Sequence, residues 1–399
     1  MIKYLSIENF HSIKNENIIE FDLNKSDSDF IAHPTLGFAG TNASGKTNFI
    51  KGLNFITWFI GQSFFSKETE IPIEKFIGSA ESPTKFNLIF SIEKQEFEYE
   101  LMVNGAKVLN EKLSSNGIMI YSRVLKKVEF GENINEFSIK DLRDTSSIVS
   151  YATNFNSHLN AQKIRDYFGA IETNVNSLGL KNIEFPFYDL LLLSQNEVLK
   201  SKVIEIIKLA DIGITDFFVG NKEKHEIALI IERLREKNIP KSELEELEKA
   251  YISTQHNEDF FFKHKIGTTY YDFTKEKESS GTLQLLALLP MILQKLEIGG
   301  LIVLDEIETH LHQNLVAYLI GLFQNPDINK GSAQLIFTFH NSLFMDILKP
   351  EQLWFAEKNN KGETELFCAA NFEDIENIHK KSLEKLYRIG RFGAKPKAI

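Results

Sequence analysis

The sequence predicts an α/β fold: a mixed sheet bearing a glycine-rich loop, an antiparallel β subdomain and a helical insertion. Three observations carry that prediction. The octapeptide Gly40-Thr41-Asn42-Ala43-Ser44-Gly45-Lys46-Thr47 stands between a short apolar run at 35–39 and a segment with helical apolar spacing, Phe49, Ile50, Leu53, Ile56 and Ile60. Residues 86–103 alternate with period two and meet a turn at Asn104-Gly105, a strong hairpin signal. In the C-terminal third, the continuous apolar runs LIVL and AQLIFTF alternate with helical patterns, as in a parallel sheet covered on both faces.

Taken in order, 2–10 and 18–23 read as two strands joined by a polar turn, and 35–39 as a buried strand leading into the octapeptide and its helix. Pro72 and Pro83 bracket a loop-rich passage before the alternating block, whose third run is GIMIYSR. Residues 141–262 read as mostly helical, and KSELEELEKA, barely one and a half heptads, reads as a solvated helix or hairpin arm rather than a coiled coil. Strand returns at 267–273, followed by the helix LQLLALLPMILQKL, the strand LIVLDEI, the helix NLVAYLIGLF and the strands AQLIFTFH and EQLWFAEK. These elements divide into an N-terminal lobe (1–120), a helical insertion (121–265) and a C-terminal lobe (266–399).

At 399 residues the chain exceeds one ordinary core. With 43% hydrophobic and 25% charged residues it has the balance of a soluble globular protein. No apolar run approaches the roughly 20 residues of a membrane span, and the N-terminus lacks a signal-peptide pattern. The single cysteine, Cys368, excludes an internal disulfide; a cytoplasmic location without membrane contact is expected. A net charge of −10 argues against a uniformly basic nucleic-acid binder but leaves local patches open, at Lys126-Lys127 and at Arg388, Arg391, Lys395 and Lys397. The 33 phenylalanines, in clusters such as Phe64-Phe65 and Phe260-Phe261-Phe262, read as core or interface packing before base-stacking platforms.

The octapeptide fits G-x-x-x-x-G-K-[ST] in the strand–loop–helix context that pattern needs. Its backbone N–H groups and the helix N-terminus would cradle a polyphosphate, with Gly40, Asn42, Ser44, Gly45, Lys46 and Thr47 as binding residues. Lys46 would reach the β- and γ-phosphates, and Thr47 would complete a Mg²⁺ shell. The strand LIVL delivers Asp305 and Glu306 to its C-terminal edge, where open α/β sheets bind ligands. Asp305 would share the Mg²⁺ with Thr47, and Glu306 would polarise the attacking water. His340, at the end of the next strand, would sense the γ-phosphate.

GxNxSGK[ST], a late apolar strand ending in Asp-Glu and a strand ending in Thr-x-His together resemble the ABC-type ATPases of the SMC/RecF/OLD group, and among them the bacterial SMC- or RecF-like "AAA family ATPases". The N-terminal IxNFxSI, the run at 210–214 and the closing Tyr387…Gly390-Arg391-Phe392-Gly393-Ala394 agree with that group. The resemblance spans nearly the whole chain, strongest at 1–60 and 276–356. It implies a P-loop NTPase head of ABC type that binds ATP and Mg²⁺ and dimerises head to head. Glu278-Ser279-Ser280-Gly281-Thr282 takes the place of the signature motif, so Ser279 and Gly281 would act on ATP held by the other subunit. Residues 308–312 take the place of the D-loop. The signature is not LSGGQ, which argues against a transporter partner. His11 stands where many relatives carry Arg, and Gln62 is too close to the first helix to serve as the Q-loop glutamine. The spacing of Lys46 and Asp305 leaves no room for a long SMC-type coiled coil.

The implied function is ATP hydrolysis in a homodimer or higher homo-oligomer, acting as a sensor in anti-phage defence and controlling a separately encoded effector, with DNA as one ligand to consider. Two alternatives stand beside it: a RecF-like recombination or repair ATPase, and a toxin-trapping scaffold that does not touch DNA.

Overall fold

The computed structural model describes residues 1–21, 30–67, 69–132, 142–152, 159–175, 196–209, 213–221 and 258–394. The chain forms two compact units, Met1–Ile183 with Gln294–Ile399, and Glu184–Leu293. The boundaries differ from the three segments expected at 1–120, 121–265 and 266–399.

The first unit holds two sheets. β1 (Ile2–Glu8), β2 (Asn17–Glu20), β4 (Thr84–Ile92), β5 (Gln95–Val103), β6 (Val108–Ser115), β7 (Ile118–Val124) and β8 (Lys127–Phe130) form an antiparallel sheet in the order β2-β1-β4-β5-β6-β7-β8. The hairpin at Asn104-Gly105 is present, with the Asn104 N–H donating to the Lys107 carbonyl. β3 (Thr35–Ala39), β9 (Glu172–Thr173), β13 (Leu301–Leu304), β14 (Gln334–Thr338), β15 (Leu353–Lys358) and β16 (Thr364–Cys368) form the second sheet, in the order β16-β15-β3-β14-β13-β9. It is parallel except for the β15–β16 pair.

α1 (Lys46–Gln62) is apolar almost all round because it is covered on both sides. Phe49 stacks on Phe38 of β3 at 4.2 Å, while Phe55 lies 5.3 Å from Phe86 of β4. Gly52 keeps the second contact close: a Cβ there would come 2.8 Å from Ile7 Cδ1, so the end of that side chain would have to shift. α2 (Ile148–Ala152) and α3 (Leu159–Gly169) follow, and α3 packs on the C-terminal turn of α1. At the chain's end Phe392 stacks on Phe355 of β15, and the Tyr387 hydroxyl donates to the Ala394 carbonyl.

The second unit contains α4 (Glu197–Leu209) and an antiparallel sheet of β10 (Ile214–Asn221), β11 (Glu258–Ile266) and β12 (Thr269–Thr274). Within 141–262 the described residues include α2, α3 and α4 but also β10 and the start of β11, so the expectation of a mostly helical stretch is corrected at 214–221 and 258–262. β10 and β11 pair Phe217 with Phe262 and Phe218 with Phe261, so alternate phenylalanines go to opposite faces. Phe260, Phe261 and Phe262 are buried, as core packing requires, whereas Phe65 is 47% exposed beneath the Arg165 guanidinium. The patterns at 226–240 and 241–250 lie outside the described residues.

α5 (Ser280–Ile298) corrects the expectation about spanning length: its 19 residues are long and apolar enough to cross a membrane by length and composition. Half of that window is buried inside the protein, including Leu285, Leu286, Leu289 and Ile292, which is the pattern of a core helix. α6 (Gln313–Gln324) and α7 (Leu383–Arg388) belong to the first unit.

Candidate functional site

The parallel strands β3, β13, β14 and β15 end at one edge of their sheet, and a cleft of about 360 Å³ opens there. Asn42, Ser44, Gly45, Lys46 and Thr47 line one side, and Asp305, Glu306 and His340 line the other. The sequence placed the first group in a strand–loop–helix and the second at strand ends, and the fold brings them together.

The loop keeps its shape through positions that few residues tolerate. Gly40, Ala43 and Gly45 have φ of 150°, 61° and 112°. A Cβ on Gly45 would stand 2.2 Å from Thr364 Oγ1, and one on Gly40 would stand 2.3 Å from the Ala356 carbonyl. Both contacts come from the β15–β16 hairpin, which holds the loop from outside. The Thr364 hydroxyl donates to the Ser44 carbonyl (2.9 Å) and lies 2.7 Å from Ser12 Oγ, which accepts from Asn48 Nδ2 at 2.6 Å. No side chain caps the α1 N-terminus and no acidic residue lies in its first turn, so its free N–H groups favour an anion.

Lys46 is buried, and its ammonium donates to the Gly40 and Thr41 carbonyls at 2.8 and 3.0 Å. Burial lowers its pKa from the ordinary lysine value, while Asp305, Glu306 and Glu308 act in the opposite direction. The Thr47 hydroxyl donates to both Asp305 oxygens, at 3.1 and 3.3 Å. Thr338 Oγ1 donates to Asp305 Oδ1 at 2.6 Å and accepts from the Glu306 N–H at 2.8 Å. Glu306 has φ of 51°, a left-handed conformation that swings it out of the strand line. Its Oε1 lies 3.5 Å from His340 Nε2. Glu308 Oε1 accepts from the N–H groups of His340 (2.5 Å) and Asn341 (3.3 Å).

These residues fit a nucleotide with a divalent cation. Ser44 Oγ is buried in the loop with no hydrogen-bond partner among the described residues. The hydroxyl of Thr47 and the carboxylate of Asp305 are hard oxygen donors of the kind Mg²⁺ takes.

Ser279 and Gly281 belong to the second unit. There Ser279 Oγ accepts from the Thr282 N–H at 3.1 Å, capping α5, and Glu278 pairs with His264 at 2.7 Å. His11 lies in the first unit with φ of 50°, its Nδ1 2.9 Å from Glu74. Gln62 is the last residue of α1 and does not line the cleft.

Besides Thr364, which holds the loop, sequence reasoning missed Asn174 and Lys358. Asn174, just beyond β9, binds the backbone of Asp305 through both its amide atoms. Lys358, the last residue of β15, lines the cleft on the side of β3 away from Asp305. Nothing local to either residue signalled its place, because each reaches the site through the pairing of distant segments.

The basic candidates outside the cleft carry carboxylate partners: Lys126 with Asp144, Lys127 with Glu129, Arg388 with Glu384 and Arg391 with Asp374. Lys395 and Lys397 lie outside the described residues.

Among solved structures, the chain is similar to an SMC head bound to the C-winged helix domain of ScpA, with 14% identity, a TM-score of 0.50 and coverage of 97% of this chain and 99% of that one. It is also similar to the SMC head domain from Thermotoga maritima (15% identity, TM-score 0.44, coverage 92% and 98%). A third is the Pyrococcus furiosus Smc head domain with an extended coiled coil, bound to the C-terminal domain of ScpA (14%, 0.43, 98% and 98%). At such identities the likeness is one of fold alone, that of an SMC head. No curated protein matches. The family model described as "AAA domain, putative AbiEii toxin, Type IV TA system" matches residues 36–346, which include the glycine-rich loop, Asp305, Glu306 and His340, and the chain belongs to that family.

Proposed function

We propose that the chain hydrolyses ATP to ADP and phosphate and uses the ATP-bound state to close a homodimer, or a higher homo-oligomer, that switches a separately encoded effector in anti-phage defence. The observation that carries this reading is the convergence of Lys46, the Thr47–Asp305 contact, Glu306 and His340 on one cleft.

In this mechanism the loop amides and Lys46 bind the phosphates, and an anion there relieves the cost of holding a desolvated ammonium. Thr47 and Asp305 would hold Mg²⁺, which neutralises phosphate charge when bound. Glu306, its side chain 37% exposed, takes a proton from the attacking water, and His340 beside it orients the carboxylate and contacts the terminal phosphate. Ser279 and Gly281 of a second copy complete the site. The family description, with its toxin and toxin–antitoxin terms, supports the defence reading.

A second reading, a scaffold that traps a toxin without DNA, draws on the paired state of Lys126, Lys127, Arg388 and Arg391 and the net charge of −10. Salt-sensitive DNA binding that requires ATP would exclude it. A RecF-like repair role has no structural observation of its own.

The test of the mechanism is Glu306→Gln. It should retain ATP, accumulate as a dimer on size exclusion, and lose turnover. Turnover equal to wild type would overturn the assignment of Glu306.

A further inference from the structure

We infer that Thr338 is a positioning residue for hydrolysis, setting the general base Glu306 and the metal-binding carboxylate of Asp305 relative to one another. The inference deepens the ATPase reading and rests on it. A threonine hydroxyl has one proton to donate and lone pairs to accept with. Here the proton goes to Asp305 Oδ1 (2.6 Å), and a lone pair takes the Glu306 N–H (2.8 Å). The bonds satisfy the hydroxyl in both roles, and the residue is fully buried, so water cannot replace it.

What the bonds hold is unusual. Glu306 has a left-handed backbone that a non-glycine residue adopts only under constraint, and that turn sends its carboxylate toward His340. The Thr338 carbonyl accepts the next N–H, of Ile307, at 3.1 Å, so side chain and backbone of one residue grip three consecutive positions of the acidic turn. The grip is returned from the other strand: Glu308 accepts from the N–H groups of His340 and Asn341, just beyond Thr338. The ends of β13 and β14 are thus tied to each other in both directions. A threonine two residues before the histidine has no reason of packing to carry a hydroxyl, since valine has its shape; the hydroxyl serves the carboxylate pair.

The test compares Thr338→Val, which keeps shape, with Thr338→Ser, which keeps the hydroxyl. Valine should lower kcat by about 30-fold or more while nucleotide affinity stays within about threefold, and serine should restore most of the turnover. Turnover of the valine variant equal to wild type overturns the inference, as does a loss confined to melting temperature. Should the valine variant not fold, Thr338→Ala against Thr338→Ser makes the same comparison, and equal turnover of the two overturns it. A wild-type chain without ATP turnover defeats the ATPase reading together with this inference, whereas an active wild type with an equally active Thr338→Val defeats this inference alone.

Discussion

The Asn174 side chain and the Asp305 backbone exchange two hydrogen bonds, each 2.8 Å: Nδ2 donates to the Asp305 carbonyl, and Oδ1 accepts from the Asp305 N–H. The amide continues the short β9 as if it were one further ladder residue. It thereby fixes the peptide on which the Asp305 carboxylate stands.

Removing that amide takes two hydrogen bonds from the Asp305 backbone, and each buried group whose bond is not replaced costs about 1–3 kcal/mol. Asn174→Ala should lower the melting temperature of the nucleotide-free protein and reduce Mg²⁺-dependent turnover. Asn174→Asp should be worse for turnover, because it loses the donor and sets a second carboxylate against the Asp305 carbonyl. Melting curves and steady-state hydrolysis check both; wild-type values for Asn174→Ala would dismiss the role.

His11 supplies a pH dependence. Its pKa is lowered, first by burial and then by Lys51, while Glu74 acts the other way. The folded state therefore prefers the neutral ring. That contribution to stability is complete above about 6.5, the ordinary histidine value, and is lost as pH falls from there through the folded value. Wild-type melting temperature should fall on acidification below about 6.5, and His11→Gln should flatten that part of the profile. NMR titration should show the imidazole half-protonated below the ordinary value; a midpoint above it would contradict the assignment.

The candidate cluster was legible in the sequence to the extent that its members are local. Lys46 and Thr47 lie within one octapeptide, and Asp305, Glu306 and His340 close apolar runs whose burial on both faces forces their ends to the sheet edge. Asn174, Thr364 and Lys358 were not legible as site residues because they arrive through pairing of distant segments, and no local pattern announces which strand will neighbour β3 or β13. The misreading of 214–221 and 258–262 as helix has another cause. Runs of adjacent phenylalanines are apolar at every position, so they satisfy the helical and the extended period alike until pairing selects one.

Lys358 is the remaining cation of the cleft. Its strand lies beside β3 on one side, whereas Asp305 lies two strands away on the other, so the two charges bracket the loop. A nucleoside triphosphate with its cation at Asp305 would turn its other end toward Lys358, whose ammonium has no ion-pair partner among the described residues. Lys358→Met should weaken ATP binding about tenfold, equivalent to about 1.4 kcal/mol, with turnover at saturating ATP unchanged. The loss should shrink at high salt, because the side chain is exposed and its interaction screened. Lys358→Arg should recover most of the affinity, since charge and reach are kept. Equilibrium titration with a fluorescent ATP analogue at two salt concentrations decides the matter: equal affinity of Lys358→Met and wild type at low salt would remove Lys358 from the site.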